Sequence, residues 1–260
     1  MKIYQIDAFT DQLFAGNPAG VCLLGESWLP EELMQQIAME MNLSETAFVR
    51  RGEDELEIRW FTPVDEVDLC GHATLAAAHV MFRHEGVAEQ VLTFQSRRGV
   101  LKVIDEGESL VLDFPRDLIY PIPFTDDLDC FNVKPREVWR GTEEYLLVFE
   151  SQEQVEHAIC HLEKAAQIDL AGFIITAPSD MMGIDFVSRY FSPKYGIDED
   201  PVTGSAHTLL VPYWQEVTGR ETFCARQLSK RGGKLHCKAA GDRILIGGKA
   251  VTFFVGEMYL

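Results

Sequence analysis

The chain has 260 residues and carries 23 Lys and Arg against 41 Asp and Glu, a formal charge of −18 at neutral pH. So acidic a protein repels phosphate backbones and anionic headgroups. No basic run longer than Arg97-Arg98 or Lys230-Arg231 offsets that field, so nucleic acid and membrane surfaces are not expected as partners.

Hydrophobic residues at 47% and charged residues at 25% are the usage of a soluble globular protein, and the length accommodates one large domain or two medium ones. Asp7 and Asp11 interrupt any apolar leader, and no run approaches the ~18 apolar residues that a spanning helix needs. The six cysteines (Cys22, Cys70, Cys130, Cys160, Cys224, Cys237) form no CxxC pair, as expected of reduced thiols. The expected location is the cytoplasm.

In chain order, residues 2–9 read as a strand, residues 30–41 as an amphipathic helix with Pro30 early in its first turn, and residues 46–50 and 56–62 as strands. A second helix, small and apolar enough to lie buried, opens at a Gly-His turn and spans residues 71–84. Strands at 91–95, 100–104 and 110–114 follow. Pro115, Pro121 and Pro123 then punctuate a stretch expected to link two lobes, residues 1–117 and 118–260.

The plan then recurs: a strand at 145–149, a helix at 151–166 with Ser151 as N-cap, strands at 173–177 and 184–192, a buried helix at 204–217, and strands at 223–228, 235–239 and 243–246. A last strand at 250–255 has no counterpart in the first half and is free to pair back across the boundary. His157 and His161, with Cys160 between them, invite a zinc reading, but inside a helix that spacing only marks one face.

The recurrence is also visible residue by residue. Arg59-Trp60-Phe61-Thr62-Pro63 returns as Arg189-Tyr190-Phe191-Ser192-Pro193, an offset of 130 residues. Gly71-His72-Ala73-Thr74 then answers Gly204-Ser205-Ala206-His207, and Ser96-Arg97-Arg98-Gly99 answers Ser229-Lys230-Arg231-Gly232, both at 133. Three matches in order with one three-residue insertion indicate an internal duplication, hence two similar lobes with a cleft expected between them.

Chemistry is sought at the helix starts and where the copies differ. Gly71 and Gly204 allow close backbone approach at helix N-termini, whose amide donors suit a carboxylate; the plainer alternative is that both serve tight turns. Glu45 heads an apolar strand, whereas the residue 130 later is Ile175. Asp200 falls in the stretch that carries the insertion. One acid from each lobe makes a general acid/base arrangement; the alternatives are a solvent-facing strand end for Glu45 and an Asp-Pro turn or anionic cap for Asp200. His72 can relay a proton or be a satisfied turn histidine. GxGxxG after a strand, GxxxxGK[ST], HExxH and GxSxG are all absent, and Ser205 and His207 diverge as a pair two apart.

Four motifs, Gly16-Asn17-Pro18-Ala19-Gly20-Val21, Asn42-Leu43-Ser44-Glu45-Thr46, Asp68-Leu69-Cys70-Gly71-His72-Ala73-Thr74 and Asp200-Pro201-Val202-Thr203-Gly204-Ser205-Ala206, resemble those of the phenazine-biosynthesis PhzF family, in the family's order and across nearly the whole chain. The resemblance implies an α+β, diaminopimelate epimerase-like fold: two similar lobes, each a barrel-like, mostly antiparallel β-sheet around a central helix. It also implies a cofactor-independent isomerase without a metal, acting as a homodimer on a small carboxylate such as trans-2,3-dihydro-3-hydroxyanthranilate, in which a glutamate moves a proton from C3 to C1. On this chain the catalytic set falls on Glu45, His72, Asp200 and Ser205, and the substrate-binding set on Gly71, Ala73, Thr203, Gly204, Asn17 and Ser44.

Two alternatives remain open. An epimerase or racemase of the same fold would use two opposed thiols, but Cys70 is answered by Thr203, which lacks a useful acid/base pKa. The other is a catalytically silent small-molecule binding protein.

Overall fold

The computed structural model describes residues 1–52 and 55–260. The chain divides into two compact units, Met1–Asp113 with Gly247–Leu260, and Phe114–Ile246. Among the described residues no helix is long and apolar enough to cross a membrane.

The first unit opens with β1 (Lys2–Ala8), which pairs antiparallel with β2 (Asn17–Leu23). β2 reads poorly as a strand because Pro18 and Gly20 interrupt it. It tolerates Pro18 because its second neighbour begins to pair only at Ala19, so the missing N–H falls outside that ladder. Helix α1 (Glu31–Met41) is the crossover to β3 (Glu45–Arg51), parallel to β2, and β4 (Leu56–Phe61) and the short β5 (Glu66–Val67) return antiparallel.

Helix α2 (Gly71–Arg83) follows, buried on every side except at His79 and Arg83. Ala73, Ala76, Ala77 and Ala78 keep its girth small, so β1, β2, β3 and the later strands can close on it. A meander of β6 (Val91–Ser96), β7 (Gly99–Asp105) and β8 (Leu110–Pro115) comes next, with β6 parallel to β4.

In the second unit the expected linker is itself structured. β9 (Tyr120–Ile122) pairs antiparallel with β10 (Glu137–Arg140), with Pro121 opposite Trp139, so only part of the proline-rich stretch is connection. β11 (Glu144–Val148) pairs antiparallel with β10 and parallel with β12 (Gly172–Pro178).

Between them the single helix expected at 151–166 is two short ones, α3 (Gln152–Glu156), capped by Ser151, and α4 (Leu162–Ala165). The break has a tertiary cause. Backbone at 159–161 pairs with 130–132 through the Phe131–Cys160 bridge, His161 N–H to Cys130 O at 2.7 Å and Asn132 N–H to Ile159 O at 3.2 Å, while the Arg189 guanidinium takes the carbonyls of Val155 and Ala158. His157 closes one helix and His161 precedes the next, so they share no helix face.

β13 (Phe186–Ser192) and β14 (Ile197–Asp200) then form an antiparallel pair around a 3₁₀ turn at Pro193–Tyr195, and α5 (His207–Thr218) leads to β15 (Thr222–Gln227), parallel to β13. Helix α5 starts later than expected, because residues 204–206 enter it through i→i−3 turns. Pro212 within α5 deprives the Thr208 carbonyl of its intrahelical donor, and Asp117 N–H supplies one at 3.3 Å. β16 (Gly233–Ala240) and β17 (Arg243–Gly248) follow, and the last strand, β18 (Ala250–Glu257), pairs antiparallel with β1.

The two units repeat an ion pair as well as a topology. Arg59 Nε donates to Glu66 Oε1 at 2.6 Å, and Arg189 Nε to Glu199 Oε1 at 2.6 Å, four residues at matching places of the duplicated sequence.

Gly16 has φ +67°, and a Cβ there would collide with the Ala8 carbonyl oxygen. Gly16→Ala therefore costs at least about 2 kcal/mol in urea denaturation, and a loss below about 0.5 kcal/mol contradicts this account.

His207 is fully buried, and burial lowers its pKa to about 4; His79 is lowered to about 4 by burial and by His84 and Arg83. Below pH ~6.5 the unfolded imidazoles gain a proton that the folded ones refuse until about pH 4. Stability from this source is therefore complete above pH ~6.5 and falls through that window, by about 3 kcal/mol for His207. Urea titrations at pH 7.5 and 5.0 should show a smaller acid loss in His207→Gln than in the wild type; equal losses overturn the assignment.

Candidate active site

Three element starts meet in the first unit. Asn42, in the left-handed region at φ 49°, ends α1 and turns the chain so that Glu45 is the first residue of β3. The Gly16 turn starts β2 at Asn17. Cys70, extended at φ −144°, precedes the first residue of α2, which places His72 in its first turn. The parallel register Ala19↔Glu45 brings the β2 and β3 starts side by side, and Gly20 makes room for the Thr46 side chain, which a Cβ would approach to 2.9 Å.

The result is a buried polar group. Asn17 is 0%, His72 4%, Cys70 7% and Glu45 9% exposed. His72 Nε2 lies 3.3 Å from Glu45 Oε2, an approach close enough for an ion pair but short of hydrogen-bond alignment. The other ring nitrogen, Nδ1, lies 3.1 Å from the Asn17 amide nitrogen and 3.4 Å from Cys70 Sγ. Burial lowers the His72 pKa to about 3, so the ring is neutral at pH 7 and does not neutralise the carboxylate. With the Asn17 NH₂ facing it, Nδ1 is the acceptor, which leaves the ring proton on Nε2, the nitrogen 3.3 Å from Glu45 Oε2.

Glu45, Cys70 and His72 also offer donor atoms within 4.8 Å of one another, a set that could hold a metal ion. Glu45 addresses Nε2 and Cys70 addresses Nδ1, opposite edges of one ring, so the arrangement suits proton exchange better than a shared ion. Gly71 and Ala73 are buried beside His72 at the start of α2, where the first amides have no intrahelical acceptor, and Ser44 is half-buried before Glu45.

The second unit gathers the other candidates. Asp200, 6% exposed, ends β14 and accepts a hydrogen bond at Oδ2 from the Thr203 hydroxyl. Gly204 is buried, and half-buried Ser205 lies in the turn leading into α5, its carbonyl accepting from Thr208 N–H at 2.9 Å. His207 Nδ1 lies 3.0 Å from the Thr203 carbonyl. Sequence reasoning passed over Gln227, fully buried at the end of β15, which bonds both Asp200 and Thr203. Its signal was available: β15 buries Phe223, Ala225 and Gln227 in alternation, and an amide at an inward position needs polar partners.

Strand registers revise one comparison between the copies. Phe61 and Phe191 are repeat equivalents and pair with Thr46 and Phe173, so Glu45 corresponds to Gly172, three residues before the Ile175 that the 130-residue offset selects. Likewise Trp60↔Val67 and Tyr190↔Asp200 make Val67 the counterpart of Asp200. Each acid stands where the other copy has a residue that cannot ionise.

A family model for phenazine biosynthesis-like proteins (PhzC-PhzF) matches residues 6–256. An uncharacterized isomerase of Pseudomonas aeruginosa is 45% identical over 261 residues, covering 100% of this chain and 99% of that protein. A crystal structure of a PhzF-family phenazine biosynthesis protein from Enterococcus faecalis superposes with a TM-score of 0.95 at 44% identity, covering 100% of this chain and 99% of that one. As fold alone, the likeness extends to a probable proline racemase of Agrobacterium radiobacter, with a TM-score of 0.67 at 10% identity over 100% of this chain and 93% of that one. The chain belongs to the phenazine biosynthesis-like protein family.

Proposed function

We propose that the protein is an isomerase that moves a proton, and with it a double bond, within a small carboxylated metabolite, by general acid/base catalysis and without a cofactor. Membership of the family and the isomerase relative support the reaction class. The observation that carries the reading is the buried approach of Glu45 to a neutral His72, whose Nε2 lies 3.3 Å from the carboxylate. A neutral ring beside Glu45 does not cancel the carboxylate's charge as an imidazolium in the same place would.

In this reading Glu45 removes a proton from an allylic carbon, the double bond moves over, and the same proton returns to the far end of the allyl system, so no atom or electron is lost. The family resemblance assigns the contacts to the substrate's carboxylate and hydroxyl to Gly71, His72, Gly204 and Ser205, whose amides stand at or before helix starts. Asp200 is the second acid of this reading; the sequence duplication supports that role. The family resemblance supports a substrate of the dihydrohydroxyanthranilate type and a homodimeric assembly. The two-thiol alternative has one observation in its favour, Cys70 Sγ 3.4 Å from His72 Nδ1, but its opposing thiol is replaced by Thr203.

Turnover of trans-2,3-dihydro-3-hydroxyanthranilate and related β,γ-unsaturated acids, followed by proton NMR in D₂O, separates these readings. Glu45→Gln should lower it at least about 100-fold, with Cys70→Ala within a few-fold of wild type. Undiminished turnover in Glu45→Gln removes Glu45 as the base, abolition in Cys70→Ala restores the thiol mechanism, and no turnover of any acid by the wild type favours a binding protein.

A further inference from the structure

We propose that Gln227 is a positioning residue that sets the direction of the hydrogen bond received by the Asp200 carboxylate, acting through the Thr203 hydroxyl. The inference rests on the reading of Asp200 as second acid. All three residues lie in the second unit.

The argument is one of donor and acceptor supply. The Thr203 backbone N–H can only donate, and it lies 2.9 Å from Gln227 Oε1; the Asp200 backbone carbonyl can only accept, and it lies 2.9 Å from Gln227 Nε2. These two main-chain groups hold the Gln227 amide in one orientation, since a flipped amide would set oxygen against oxygen and N–H against N–H. The second Nε2 hydrogen then points at Thr203 Oγ1, 3.2 Å away. A hydroxyl that accepts there has its own single proton left to give, and that proton goes to Asp200 Oδ2. Without the amide, the hydroxyl rotor has nothing to stop it turning elsewhere.

Gln227 is fully buried on β15, whose register with β13 (Ser188↔Gln227) holds its backbone in place. By the Ser-x-x-Gly match its counterpart in the first copy is Phe94, buried and apolar, so the amide occurs in the copy that carries Asp200. The titratable groups beside the clamp stay neutral across the working range. Tyr190, opposite Asp200 in the ladder, is pushed well above the usual phenol range, chiefly by burial, and His207, on the Thr203 carbonyl, is lowered to about 4 by burial.

Gln227→Glu tests this with nearly the same shape. Protonated, the new carboxyl can still donate to Thr203; ionised, it can only accept, so it draws the hydroxyl proton away from Asp200. The first measurement needs no substrate: the ¹³C titration of the Asp200 carboxyl, assigned by its loss in Asp200→Asn. In Gln227→Leu, which removes the amide without adding a charge, its midpoint should rise by about one unit or more. Thr203→Val should shift it in the same direction and Thr203→Ser should leave it in place.

The second measurement is the pH profile of trans-2,3-dihydro-3-hydroxyanthranilate turnover. Gln227→Glu should lose about tenfold in kcat at pH 8 and recover toward wild type as the pH falls to 5, whereas Gln227→Leu stays low throughout. An Asp200 titration unchanged in Gln227→Leu overturns the proposal, as does a Gln227→Glu profile parallel to wild type. Full activity in Asp200→Asn instead removes Asp200 as an acid, and the carbon titration still decides whether Gln227 orients its carboxylate.

Discussion

Burying a whole helix constrains everything around it. Because α2 is apolar and small along its length, strands close on it from several directions, and the polar groups in its first turn are carried inside with it. A buried imidazole must then be neutral and must find partners for its nitrogens. His72 has Asn17 and Cys70 beside Nδ1 and Glu45 3.3 Å from Nε2, so the candidate active site gathers around one helix start in a dry interior. The same constraint on α5 explains the support of the Thr208 carbonyl by Asp117 and the hold of the Thr203 carbonyl on His207.

Duplication supplied two such helix starts, and divergence made them unequal. The scaffold kept its shared devices, including the Arg59–Glu66 and Arg189–Glu199 pairs that tie β4 to β5 and β13 to β14. The acids, by contrast, appear singly. Glu45 faces a neutral ring; Asp200 faces a hydroxyl oriented by a buried amide. Both arrangements set a neutral group beside a buried carboxylate. Backbone amides at helix starts would attract a small carboxylate at short range whatever the distant field of a chain with a charge of −18.

Most of the architecture was legible because it depends on local pattern. Strand alternation, the small apolar run of α2, the Ser151 cap and the repeated Arg-aromatic-Phe segment are written into neighbouring residues, and the four motifs carried the family. Three features were not. β2 hides behind Pro18 and Gly20, the segment at 157–161 leaves its helix to pair with 130–132, and the true counterpart of Glu45 is Gly172, because strand register follows hydrogen-bonded pairing and not a constant offset.

The sequence by itself determined the fold class, the duplication, and the identities of Glu45, His72 and Asp200 as candidates, since periodicity and motif order are properties of the chain alone. Only the tertiary structure decided how they are equipped: that His72 is neutral with its proton on the Glu45 side, that Cys70 touches the same ring, and that Gln227 stands behind Asp200. Burial and hydrogen-bond direction depend on which groups packing brings within about 3 Å, and residues as far apart in sequence as Asn17 and His72, or Thr203 and Gln227, acquire those relations only when their strands and helices close together.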